Sequence, residues 1–140
     1  MDAMSSTQRA MFQDAVMLIG RLLLAAIFLH EGAFLVANFG PTSAAMAKLG
    51  VPLFLFIPTI ALQLIAGFAI AAGWHARWGA LALGLFCLAT AVLFHTNFAS
   101  RNELLHFEKD FAIAGGMFVL MVHGPGGWSI DGLWPRKAAT

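Results

Sequence analysis

The stretch HTNFASRNELLHFEKDFAIAGGMFVLMVHGPGGWSID, from His95 to Asp131, decides how this chain folds. Its first half concentrates ionisable side chains, namely His95, Glu103, His106, Glu108, Lys109 and Asp110. From Phe111 onwards it is apolar, and it ends in the glycine-rich segment Gly124–Gly127. We expect this stretch to close one end of a small membrane bundle and to form part of a polar pocket there.

The composition is that of a membrane protein. The 140 residues are 60% hydrophobic and 11% charged, with a mean hydropathy of +0.81. In a soluble domain, about half of the residues are apolar and about a quarter are charged. The net charge of +1 lacks the basic excess of a nucleic-acid-binding protein. Cys87 is the single cysteine and lies in an apolar run, which excludes an internal disulfide, a paired-cysteine redox centre and a cysteine-ligated cluster.

Four apolar segments predict an all-α polytopic membrane protein, a four-helix up-down transmembrane bundle. About 20 helical residues cross a hydrocarbon core of ~30 Å. The predicted spans are residues 15–37, 51–73, 78–98 and 102–123. They make one membrane domain over residues 15–135, between a polar lead at 1–14, which is expected to be flexible or interfacial, and a basic tail at 136–140.

The connections between the spans are short. Gly40–Pro41 is expected to break the first helix, after which Ser43–Lys48 forms one surface turn. The tight connection Trp74–Trp78 makes spans two and three antiparallel neighbours. Within span two, Pro58 predicts a kink and Gln63 predicts a hydrogen bond to another helix.

The fourth span needs polar residues to reach its length. Its apolar part, Phe111–Val122, has only 12 residues and covers ~18 Å. The helix is therefore expected to begin near Asn102 as N-cap, with Glu103 in the first turn, where the helix dipole favours a negative charge. Gly124–Pro125 should stop it.

The basic residues outside the spans indicate an orientation. Four lie on the side of the N-terminus and three on the opposite side: Arg9, Arg77, Arg136 and Lys137 against Lys48, Arg101 and Lys109. Because cytoplasmic loops carry the excess of Lys and Arg, both termini are predicted to be cytoplasmic. All four tryptophans fall on that same side.

Ionisable residues from three spans are expected to meet at the end opposite the termini. There the ends of spans one and three and the start of span four share one face. The converging residues are His30, Glu31, His95, Glu103, His106, Lys109 and Asp110. Charges inside a membrane pair with one another, so Lys109 should be neutralised by a carboxylate. The candidates are Glu31, Glu103 and Asp110. Arg21 is expected at the cytoplasmic boundary, paired with Asp14 or serving a ligand.

Several occupants suit such a pocket. A hydrogen-bonded polar cap without a ligand is the simplest. A divalent metal accepts imidazole and carboxylate ligands, here drawn from His30, Glu31, His95, Glu103 and His106. A haem iron would use His30 and His95. A quinone would be held by groups from the set Arg21, His30, Glu31, His95, His106, Lys109 and Asp110.

Two segments, GRLLLAAIFLHEGAFLV at Gly20–Val36 and HFEKDFAIAGGMFVLMVHGPGGWSID at His106–Asp131, resemble the DoxX family of small bacterial membrane proteins. The pair Lys109–Asp110, the small residues Ala114–Gly116 and the end Gly124–Asp131 carry the resemblance most specifically. It implies a four-helix protein of the bacterial inner membrane. It also implies similarity to the membrane subunit of thiosulfate:quinone oxidoreductase and to parts of other membrane oxidoreductase complexes.

Two functions of different classes therefore follow. The first is a membrane subunit of a redox system, with a quinone- or metal-binding pocket at the outer side of the bundle. The second is a non-catalytic scaffold or anchor for a partner protein, with transport of a small solute as a further alternative. The lipid bilayer is the expected surrounding, and a protein partner or a second copy of the chain is the expected associate.

Overall fold

The computed structural model describes residues 5–134, and these form helices joined by short connections. The helices are α1 (Ser6–Ala37), α2 (Phe39–Lys48), α3 (Leu53–Ala72), α4 (Ala76–Phe94), α5 (Arg101–His123) and α6 (Ile130–Leu133). The basic tail predicted at 136–140 lies outside the described residues.

The first helix starts earlier than predicted. Ser5 and Gln8 form a capping box, in which the Ser5 side chain accepts from the Gln8 N–H and the Gln8 side chain accepts from the Ser5 N–H. This arrangement satisfies two backbone donors that a helix start otherwise leaves free. Residues 6–14 are therefore the first turns of α1 rather than a flexible lead.

The expected break at Gly40–Pro41 is wrong, because the chain bends at Asn38 instead. The Asn38 backbone has φ −115° and ψ 34°, and its N–H donates to Phe34 O. Pro41 then lies in the first turn of α2, where a missing N–H costs nothing. The segment beyond the bend is a ten-residue helix and not a single turn.

The turn between α3 and α4 is as tight as predicted. Gly73 adopts the left-handed conformation with φ +69°, and the Trp74 N–H donates back to Ala69 O at 2.9 Å. This closes α3 and reverses the chain. The next helix, α4, consequently runs antiparallel to α3.

The start of α5 differs by a small step from the prediction. Its N-cap is Ser100, whose side chain makes no capping hydrogen bond, and Asn102 already lies inside the helix. Glu103 is in the first turn as expected, and the helix ends at Gly124 as expected. Asn102 is thus not the N-cap.

Three described helices, α1, α3 and α4, are long and apolar enough to cross a membrane. With 23 residues, α5 reaches about 34 Å, but its first half carries the ionisable stretch. The core is formed by apolar side chains of α3, α4 and α5, including Ile70, Leu83 and Met117, together with Ala25 and Phe28 of α1. Close approach of two helices requires a glycine at position 84, because a Cβ built on Gly84 of α4 would lie 2.8 Å from Phe118 Cε1 of α5. Cys87 is buried in this core, as predicted.

Candidate functional site

An open cavity of about 790 Å³ lies at the end of the bundle where α1 and α4 finish and α5 begins. We call it the polar cavity. Six of the seven residues expected to converge line it: Glu31, His95, Glu103, His106, Lys109 and Asp110. His30 does not line the cavity and is exposed on α1.

His95 and Glu103 form a hydrogen bond across the connection from α4 to α5. The distance from His95 Nδ1 to Glu103 Oε2 is 2.8 Å. Because an ionised carboxylate can only accept, the Nδ1 atom of His95 carries the hydrogen. Glu103 also sits in the first turn of α5, where the helix dipole favours its negative charge. The pair therefore fixes the loop that forms the rim of the cavity.

His106 continues this arrangement along the wall. Its ring stacks on the His95 ring, with centroids 5.0 Å apart and an interplanar angle of 22°. The Lys109 Nζ atom lies 3.1 Å from His106 Nδ1. An ammonium group has only hydrogens to donate, so His106 Nδ1 is the acceptor and its Nε2 remains as a donor.

The predicted pairing of Lys109 with a carboxylate is wrong. Within residues 5–134, Glu103 pairs with His95, and the partner of Lys109 is His106. Positions three apart on a helix are neighbours, so His106 lies within reach along the same face. The contacts thus run from Glu103 through the two imidazoles to Lys109.

One polar residue of the site, Thr90, escaped the sequence reasoning. Thr90 of α4 lies with its hydroxyl 3.1 Å from Asp110 Oδ2, and the same hydroxyl is near the backbone carbonyls of Phe86 and Cys87. A threonine in an apolar run gave no signal that it would meet Asp110 on another helix.

Gln63 of α3 lies on the cavity wall and is 6% exposed. It makes no hydrogen bond among the described residues, so the predicted interhelical bond is not formed. Its polar atoms remain available to the cavity.

A metal site is not assembled in the described part of the chain. Within residues 5–134, no three His, Cys, Asp or Glu side chains are grouped so as to hold a metal ion. Two expectations remain predictions from the sequence alone. These are the five-residue metal set and the haem pair His30–His95.

Arg21 belongs to the opposite end of the molecule. It is 3% exposed, and its guanidinium donates to Pro125 O at 3.2 Å and to Trp128 O at 2.5 Å. Asp14 accepts from the Gly127 N–H at 2.6 Å. The predicted Arg21–Asp14 pair is therefore wrong, since both side chains bind the glycine-rich loop instead. Arg21 does not line the polar cavity.

Comparisons with known proteins agree with this architecture. The DoxX family model matches residues 16–96. The inner membrane protein YqjF of Escherichia coli (strain K12) is 37% identical over 125 residues, which cover 89% of this chain and 96% of that protein. The inner membrane protein YphA of the same organism is 31% identical over 126 residues, covering 85% and 90% respectively. No solved structure matches. The chain belongs to the DoxX family.

Proposed function

We propose that the chain is an integral inner-membrane subunit of a redox system and that its polar cavity binds a quinone. The observation that carries the proposal is the stacked pair His95–His106, flanked by Glu103 and Lys109 on a wall of the cavity. The rest of the lining is mainly apolar and includes Phe86 and Phe94. Ligand sites typically combine such apolar walls with a few well-placed polar groups.

The donor set suits a quinone. The ligand offers a flat apolar ring and carbonyl acceptors, and when bound it supplies chemistry that takes up two electrons and two protons. Lys109 and the free Nε2 of His106 donate hydrogen bonds to carbonyl oxygens.

In this proposal α5 is the fourth membrane helix. Its apolar half lies in the hydrocarbon, and its polar first turns lie at the boundary, where they meet the cavity. Ionisable residues at such depth are costly and mark functional sites. The relatives, which are inner membrane proteins by name, support the location.

Binding measurements on detergent-purified protein test the proposal. We expect organic extraction to recover quinone, and we expect His106→Ala and Lys109→Met each to weaken quinone binding about tenfold or more. The hydrogen bond from the charged Lys109 contributes about 1.5–3 kcal/mol, and removal of the neutral His106 donor leaves a buried carbonyl unsatisfied at a cost of about 1–3 kcal/mol. A difference of about 1.4 kcal/mol corresponds to a factor of ten in affinity.

The matched control is His123→Ala, which removes an exposed histidine at the other end of α5. Its binding should equal that of the native chain. Purified protein without quinone, together with equal behaviour of all three variants, would contradict the proposal and favour the scaffold function, which predicts a protein partner that co-purifies.

A further inference from the structure

The polar cavity has an open side between α1 and α5. Along the bundle, α1 packs on α3, α3 on α4 and α4 on α5, whereas α1 and α5 barely touch. They come together at Leu24 and Gly116, where a Cβ built on the glycine would lie 3.3 Å from Leu24 Cδ2. Beyond this contact, both helices line the cavity. We call the opening the α1–α5 gap; its lips are Ile27, Glu31 and Leu35 on α1 and His106, Lys109 and Ile113 on α5.

The helix register places opposite charges at one depth of this gap. The two helices are antiparallel, because α1 ends at the cavity and α5 begins there. Glu31 is seven residues beyond Leu24, and Lys109 is seven residues before Gly116. Each step of seven residues rises about 10 Å. Glu31 and Lys109 therefore lie at the same level on the two lips.

These charges do not bind each other. Glu31 is exposed and makes no hydrogen bond or ion pair among residues 5–134, while Lys109 is exposed and bonds to His106. A charge at membrane depth is expensive without a partner. Around the two charges the lips are apolar, with Ile27 and Leu35 on one side and Ile113 on the other. The gap thus offers an acceptor, a donor and an apolar path to the lipid.

We infer that an amphiphile enters the polar cavity from the bilayer through the α1–α5 gap, with its hydrogen-bonding head between Glu31 and Lys109 and its tail passing over Ile27 and Ile113. The inference rests on the proposed function for the identity of the head as a quinone. A phospholipid likewise has a hydrogen-bonding head and an apolar tail, and the experiments below distinguish it from a quinone.

The first measurement tests the gap without a ligand. In a Cys87→Ala background, a nitroxide is attached at Ile113→Cys or, as the matched control, at Met117→Cys, whose native side chain is fully buried one turn further along α5. In nanodiscs, the label at position 113 should collide with oxygen dissolved in the lipid several times more often than the label at 117. Equal shielding at both positions would show that the gap is closed and overturn the inference.

The second measurement tests the route. Cysteines replacing Ile27 and Ile113 are joined by a short thiosulfonate cross-linker, and binding of a long-tailed and a tail-less quinone is compared before and after linkage. Linkage should reduce binding of the tailed quinone at least tenfold and spare the tail-less one. The matched control joins cysteines at positions 24 and 116, the existing contact, and should change neither. Unchanged binding of the tailed quinone after linkage at 27 and 113 would overturn the inference.

Failure of the proposed function has a different signature. The unlinked chain would then bind neither quinone, while the label at 113 remained accessible to lipid. In that case, a phospholipid that co-purifies and is lost on linkage or on Glu31→Gln would uphold the route with a lipid head. Absence of any phospholipid retained in this way would overturn it.

Discussion

At the scale of single residues, Arg21 shows most clearly what the fold requires. A buried charge is tolerated only when it is hydrogen-bonded, and Arg21 obtains its partners from Pro125 O and Trp128 O, more than a hundred residues along the chain. Space for its guanidinium exists because residue 73 is a glycine. A Cβ there would lie 2.0 Å from Arg21 Nη1 and 2.3 Å from Ser129 Cβ.

Gly73→Ala should therefore destabilise the protein strongly. The substitution adds the clash with Arg21 and Ser129 to a left-handed backbone at φ +69°, which alone costs a non-glycine residue about 1–2 kcal/mol. Thermal unfolding in detergent measures the effect as a lowered Tm.

Gly115→Ala is the matched control, since nothing lies within 4 Å of a Cβ built there. In a helix interior, alanine is favoured over glycine by about 1 kcal/mol, so this variant should be at least as stable as the native chain. An equal loss of Tm in the two variants would show that Gly73 is not required for the packing of Arg21.

At the scale of helices, the start of α4 and the end of α5 are capped by side chains from other elements. The first N–H groups of α4 donate to Asp131, from His75 N at 3.1 Å and from Ala76 N at 3.3 Å. Arg77 in turn donates to carbonyls at the end of α5, including Met121 O at 2.9 Å. The helix dipole favours a negative carboxylate at the start of a helix and a positive guanidinium at its end, so both contacts are stabilising. These contacts hold the start of α4 and the end of α5 together at one end of the bundle.

Asp131→Ala should loosen the start of α4. Loss of a side-chain cap costs about 0.5–2 kcal/mol, and amide hydrogen exchange at Ala76 and the following turn should accelerate. Glu108→Ala, which removes an exposed carboxylate from α5, serves as the comparison and should leave that exchange unchanged. Identical exchange in both variants would refute the capping role.

At the scale of the whole molecule, the open arrangement of α1, α3, α4 and α5 creates the polar cavity. Small residues let neighbouring helices approach closely, as Gly32 does against Leu64 and Gly67 against Leu29. The first and last of these four helices, α1 and α5, meet at Leu24 and Gly116 and diverge beyond this contact. Loop 95–100, held by the His95–Glu103 pair, forms the rim.

The orientation predicts where fused reporters reside. If both termini are cytoplasmic, as the basic residues predict, a green fluorescent protein fused after Thr140 should fluoresce, whereas alkaline phosphatase at the same point should be inactive. A fusion after Asn97, before α5, should give the reverse result, because the positive-inside rule places that loop outside. The same reporter response at both points would mean that α5 does not cross.

The sequence by itself determined the membrane class and the clustering of ionisable residues near the start of α5, and the resemblance of two segments indicated the family. The membrane class and the clustering are properties of composition and of short-range pattern, which neighbouring residues establish without help from the rest of the chain. The expectation that Glu31 would share one cavity with Lys109 also came from the order of the helices alone.

Only the tertiary structure decided which partner each polar group takes. Lys109 binds His106 rather than a carboxylate, Asp110 meets Thr90, and Arg21 binds the loop at Pro125 rather than Asp14. The physical reason is that a hydrogen bond forms within about 3 Å, whereas the order of the helices fixes positions only to about a helical turn. Helix register and loop path supply the remaining precision, and both depend on how the whole bundle packs.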